Sequence, residues 1–161
     1  ASAIHIFVVS GFYIIYLPKL IKLHSSKSDS FRKELLTFGA ITFASSVILV
    51  FIIPLISPFI FEIIGKSEFS SQTSLLYFLL FGFMLNNLSL IPHMYLYIIE
   101  DEKYITLIMA VSFLINLILN LVFIPKFGIQ GAAYSLVCTY FIVLLLKLIR
   151  AKQKWKRSVV C

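Results

Sequence analysis

The sequence predicts an all-α, polytopic membrane protein, and three observations carry that prediction. The 161 residues are 60% hydrophobic and 13% charged, with a mean hydropathy of +1.00; soluble chains run roughly 45–50% apolar and about 25% charged. The apolar residues are gathered into five long runs. The charged residues fall in short clusters between those runs, as the cost of placing charge in hydrocarbon requires.

The runs are Ala1 to Leu17, Leu35 to Phe61, Leu75 to Ile99, Tyr104 to Ile124 and Ile129 to Ile149, followed by a basic tail over 150–161. At about 1.5 Å per residue, about 20 residues cross a hydrocarbon core of roughly 30 Å, so four runs are long enough and the first is marginal. That first run starts without an initiator Met or a basic leader segment, so it resembles neither a signal peptide nor a natural start. The chain therefore reads as the C-terminal portion of something longer.

Taken in order, the first span is expected to end at Pro18, before a polar connection, "KLIKLHSSKSDSFRKE", with a short amphipathic lead into the second span. Pro54 and Pro58 should bend or end the second helix near its far side. The segment "FIFEIIGKSEF" then reads as an interfacial turn closed by Gly65. The third span carries Asn86, Ser89, His93 and Tyr97 at helical spacing, and the fourth carries Ser112, Asn116 and Asn120, so each set shares one face. Gly131, Ser135 and Thr139 form a small-residue stripe on the fifth, where a neighbouring backbone can come close.

Orientation follows from the basic residues. The first connection holds Lys19, Lys22, Lys27, Arg32 and Lys33, the third holds Lys103, and the tail holds Lys147, Arg150, Lys152, Lys154, Lys156 and Arg157. The other side has Lys66 and Lys126 alone, so twelve basic residues face two, and the tail is expected in the cytoplasm. Topology and anionic inner-leaflet lipid account for the net charge of +7, and no nucleic-acid partner is implied. Cys138 within the last span and Cys161 at the end are not expected to form a disulfide on the reducing side.

Connections on the far side are short, about a dozen residues near Gly65 to Ser74 and a handful near Pro125 to Gly128, so whatever the chain does happens within the bilayer. Asn116 and Asn120 could line a cavity or hydrogen-bond neighbouring helices. His93, after Pro92, is the titratable group deepest in the third span and could serve proton coupling, an anionic head group or a proline kink. Glu100, Asp101 and Glu102 read as a solvated turn, Glu62 as interfacial, and Trp155 with the basic tail as an interfacial anchor. His5 and His24, near span ends, receive no role. No zinc spacing, glycine-rich phosphate loop or nucleophile, His and acid set occurs, so no catalytic residue, metal site or cofactor is expected.

The stretch "INLILNLVFIPKFGIQGAAY" is more specific. Asn116, Asn120, Ile124-Pro125, Phe127-Gly128-Ile129 and Gly131-Ala132-Ala133 resemble the signature of Wzx-type polysaccharide flippases, members of the multidrug/oligosaccharidyl-lipid/polysaccharide exporter superfamily. Pro18, "GKSEF" before the third span and "EKY" before the fourth add to the likeness. The resemblance implies a bacterial inner-membrane transporter of about twelve helices in two lobes, of which this chain would supply the last five. It implies flipping of undecaprenyl-pyrophosphate-linked oligosaccharide by alternating access, for O-antigen, capsule or a similar glycan. Lipid-linked oligosaccharide, membrane lipids and other polysaccharide assembly proteins are then the expected partners.

Candidate cavity residues are Asn86, His93, Asn116 and Asn120, and Pro125, Gly128, Gly131, Ala132 and Ala133 are expected to build a tight helical hairpin. The family holds its anionic head group with cationic cavity residues, yet no Arg or Lys is expected mid-span in these five runs. Alternatives are a drug or cation antiporter of the same superfamily, a membrane-embedded polysaccharide polymerase, or a structural membrane subunit.

Overall fold

A computed structural model of the chain describes residues 2–65 and 73–160, and side chains over 10–65 and 74–156. These residues form five helices and no strand: α1 (Ser2–Ser25), α2 (Ser30–Ile63), α3 (Thr73–Ile98), α4 (Glu102–Phe127) and α5 (Ile129–Val160). Four of them, α2, α3, α4 and α5, are long and apolar enough to cross a membrane. α4, at 26 residues, spans about 39 Å and so exceeds a hydrocarbon core of roughly 30 Å.

The helices pack mostly side by side. α5 lies between α3 and α4, α3 continues into contact with α2, and α1 fills the corner between α2 and α3. α4 is the edge: among its described side chains only Ile108 is buried, and Phe113, Ile118 and Leu121 are exposed. A buried apolar cluster gathers Leu20, Phe31, Phe38, Met94, Tyr95 and Ile98 at the end where α1 meets α2.

Contacts bring three connections to that same end. Lys19 pairs with Glu34 at 2.7 Å, Phe31 stacks on Trp155 at 6.4 Å, and Asp101 pairs with Arg150 at 2.7 Å. The α1–α2 turn, the α3–α4 turn and the start of the tail therefore share one face, here the basic end.

Several sequence expectations are corrected by the helices themselves. Pro18 does not end α1, which continues to Ser25 because Leu17, Leu20 and Leu23 pack into the apolar cluster and outweigh one lost backbone bond. The expected polar loop shrinks to 26–29. Pro54 and Pro58 lie inside an unbroken α2. Pro58 has no N–H for the Pro54 carbonyl four residues back, and the Ser57 hydroxyl donates to that carbonyl instead, at 3.1 Å.

Both turns at the basic end close without glycine. Lys27 and Glu100 take positive φ, 49° and 58°. Ser28 N–H donates to the Leu23 carbonyl and Asp101 N–H to that of Leu96, both at 3.0 Å, the six-to-one bond of a Schellman cap. Gly65, at φ 71°, closes α2 as expected, whereas residues 66–69 of "GKSEF" and Lys66 lie outside the described residues.

Candidate functional site

Close helix approach comes first. A Cβ on Gly131 would strike the backbone carbonyl of Phe123 and come within 2.8 Å of the Ile124 nitrogen, so α5 begins against the backbone of α4. Gly82 does the same for α3 against the Leu136 side chain of α5. Ala133 is buried and Ala132 half-buried behind this contact. The turn is made by Gly128 at φ 59°, whose N–H donates to the Ile124 carbonyl at 2.8 Å. Pro125, expected in the turn, lies within α4.

Among the described residues, three of the helix interfaces, α4–α5, α2–α3 and α3–α5, then carry a polar contact. Asn116 on α4 donates to the Thr139 hydroxyl of α5 at 3.1 Å, and Asn120 donates to the Asn116 side-chain oxygen at 2.9 Å. Thr139 and Ser135 pass their own hydroxyl hydrogens back to the Ser135 and Gly131 carbonyls. Ser112 turns away, to the Met109 carbonyl of its own helix. Between α2 and α3 the contact is Asn87 to Ser46, at 3.1 Å.

That last pair corrects the polar stripe on α3. Asn87 is buried and bridges helices, whereas Asn86 is half-buried and its backbone carbonyl accepts from Ser89. Tyr97 at the end of the stripe is exposed. The stripe, drawn at spacings of three and four, missed the neighbour one residue on that α2 selects.

The central feature is a lysine. Lys147, read from sequence as part of the basic tail, is 4% exposed and sits between α5 and α3, its ammonium donating to the Ser89 hydroxyl at 3.4 Å. Lysines near helix ends usually extend toward water. Lys147 reaches the other way, because helical side chains lean toward the N-terminus of their helix. Its partner Ser89 lies nine residues, about 13 Å, before the end of α3. No acidic side chain pairs with it among the described residues.

His93 is one helical turn past Ser89, half-buried and within electrostatic reach of Lys147. Its Nδ1 is buried without a hydrogen-bond partner among the described residues, and its ring lies 6.4 Å from that of Tyr13 on α1. The structure thus brings Ser89, His93 and Lys147 to one region, and holds Asn116 and Asn120 apart from it at the α4–α5 interface. Lys147, two residues before the end of the fifth run, adds a cation directed into the helix layer that the sequence assigns to the tail.

The signal was present in the stripe Gly131, Ser135, Thr139, which continues at the same spacing through Val143 to Lys147, all buried. A row stepping by four residues turns about 40° per step, so it begins facing α4 and ends facing α3.

At the basic end Asp101 is not merely solvated. Arg150 donates to both of its oxygens, at 2.7 and 3.2 Å, while the Arg150 guanidinium lies 4.6 Å from the Tyr104 ring centre. The Arg150 hydrogen bonds, aided by Lys154 at 3.8 Å, hold the Asp101 carboxyl below the usual carboxylate range. Trp155, expected to anchor in lipid head groups, is half-buried against Phe31 and Tyr95. His24 lies 5.2 Å from the Phe31 ring, and the side chain of His5 falls outside those described. Among the described residues no group of three His, Cys, Asp or Glu side chains comes together.

Fold and interfaces define a multi-pass helical membrane protein with polar contacts between its spans. Compared with known proteins, the chain matches no family model, no curated protein and no solved structure.

Proposed function

We propose that this chain forms part of a transporter that flips undecaprenyl-pyrophosphate-linked oligosaccharide across the bacterial inner membrane by alternating access. The observation that carries the reading is Lys147: a cation turned into the helix layer, hydrogen-bonded to Ser89 and beside His93, with no acidic partner among the described residues. Intramembrane ionisable groups are costly and mark substrate or ion paths. An amine held between two spans suits an anionic pyrophosphate. The Asn116-to-Ala133 hairpin supports the same reading through its resemblance to the flippase signature. In this reading the basic end faces the cytoplasm, where the lipid-linked repeat unit is assembled.

The test is deletion of the gene in its host. Loss of surface polysaccharide with build-up of lipid-linked repeat units, restored by the intact gene but not by Lys147→Met, is the expected result. Unchanged surface polysaccharide with raised drug sensitivity would replace this reading with an antiporter.

A further inference from the structure

At the basic end a groove of about 250 Å³ opens between α2, α3 and α5. Leu35 of α2, Pro92 and Tyr95 of α3, and Ala151 and Trp155 of α5 are among its lining residues, and exposed Lys152 is the charged one. Its volume equals about eight water molecules at roughly 30 Å³ each, but a water needs two to four polar partners and these walls are nearly all apolar. Hydrocarbon is the filler available to such a groove on a membrane-spanning bundle.

Depth and charge narrow the occupant. Lys152 lies two residues beyond Arg150, which meets the α3–α4 turn, so the groove sits where apolar spans give way to polar ends. Asp101 takes up Arg150 and Lys154, but Lys152 forms no ion pair among the described residues. Arg32 and Lys33, at the same end, are likewise without one. An apolar slot with an uncommitted ammonium at the head-group level fits a lipid of opposite charge.

We propose that the groove holds an acyl chain of an anionic glycerophospholipid from the leaflet at the basic end, its phosphate against Lys152. This is a structural lipid rather than transported cargo, and it does not rest on the transport reading. Ala151, the smallest side chain in its lining, shares the slot with Pro92 and Tyr95, so a larger side chain there should fill it.

The experiment uses the full chain, purified in mild detergent, delipidated, and titrated with dioleoyl phosphatidylglycerol or dioleoyl phosphatidylcholine while Tm is read. Phosphatidylglycerol should raise Tm and phosphatidylcholine should not. Lys152→Gln should weaken the apparent affinity for phosphatidylglycerol about fivefold, the worth of one interfacial charge. Ala151→Leu should abolish the response, and Lys156→Gln, on the tail but outside the groove, should leave it intact. Equal responses to the two lipids, an unaltered response in Lys152→Gln, or equal loss in Lys156→Gln would overturn the site. So would a Tm rise with undecaprenyl phosphate alone, which would make the groove a cargo site. Lys152 is exposed, so its variant decides the matter even if Ala151→Leu fails to fold.

Discussion

The same substitution, glycine to alanine, should have opposite effects at two positions of this protein. Within a helix, alanine is favoured over glycine by roughly 0.5–1 kcal/mol because it restricts the unfolded chain. Gly11, in α1, has nothing within 4 Å of a new Cβ, so Gly11→Ala should stabilise by about that amount. At Gly131 the Cβ would overlap the Phe123 carbonyl and lie 2.8 Å from the Ile124 nitrogen, and both are backbone of an adjoining helix. Relief requires α4 and α5 to move apart, at about 1–3 kcal/mol for overpacking. The same movement stretches the 3.1 Å bond between Asn116 and Thr139, worth about 0.6 kcal/mol. Subtracting the propensity gain leaves a net loss of roughly 1–3 kcal/mol. Gly82→Ala should fall between the two, since the obstacle there is the end of the Leu136 side chain, which can turn away. Unfolding of the three variants in mixed micelles measures the order. In a double-mutant cycle Asn116→Ala should cost less in the Gly131→Ala background. A neutral or stabilising Gly131→Ala would refute the close backbone contact.

Three further outcomes follow from the same contacts. Lys147→Met replaces a buried ammonium with an apolar side chain of similar length, so the protein should remain folded, with a Tm at or above that of the parent, and under the proposed transport function glycan export should be lost; a collapse of Tm would make Lys147 structural. Because the native Asp101 carboxyl titrates below its unfolded value, the contact with Arg150 should contribute fully above the usual carboxylate range and fade as pH falls through that range toward the lower native value. Asp101→Asn should flatten this acid limb of the stability profile, and an unchanged limb would remove Asp101 from the account. Glu100→Gly should stabilise by roughly 1 kcal/mol in the same unfolding assay, since an exposed glutamate holds φ at 58° where glycine is unstrained.

Hydrophobic runs read off the helices well because the property that fixes a span, a length of apolar side chain matched to the bilayer, is local in sequence. Proline does not end a helix at residues 18, 54, 58 or 125 because its cost is local but its remedy is not: the Ser57 hydroxyl answers an orphaned carbonyl, and tertiary packing carries α1 past Pro18. The hairpin was legible in part. Gly128 and Gly131 have meanings set by adjacent backbone, whereas the Asn116 to Thr139 bond depends on which face of α5 turns to α4. The choice of Asn87 over Asn86 is set by Ser46, 41 residues away. Lys147 was hidden by counting it with the tail, where a charge cluster looks like solvated surface. The Asp101 pairing escapes sequence for the same reason, as do the ring contacts of Trp155, since nothing in a run of polar residues says which one meets an arginine or an aromatic pocket.

The polar contacts also bear on whether this layer can move. Among the described residues, three interfaces between spans carry interhelical hydrogen bonds, Asn87 to Ser46, Lys147 to Ser89 and Asn116 to Thr139, each worth on the order of 0.6 kcal/mol in a membrane. Those bonds fix register but contribute little to cohesion, which comes from close contacts at Gly131 and Gly82 and the aromatic cluster around Trp155. The two kinds of contact lie at different places: backbone proximity joins α4 to α5 at the end away from the basic residues, whereas the Asp101, Arg150 and Trp155 contacts clasp the basic end. A rocking motion that opens one end of the bundle need break only the contacts of that end. For alternating access this makes the Asp101 to Arg150 pair the contact whose loss should favour opening at the basic end. Asp101→Asn should therefore raise the labelling of a cysteine placed at Ser89 by a thiol reagent confined to that side, in a protein whose Cys138 and Cys161 have first been replaced. Equal labelling with and without Asp101 would show that the clasp does not govern access to Lys147.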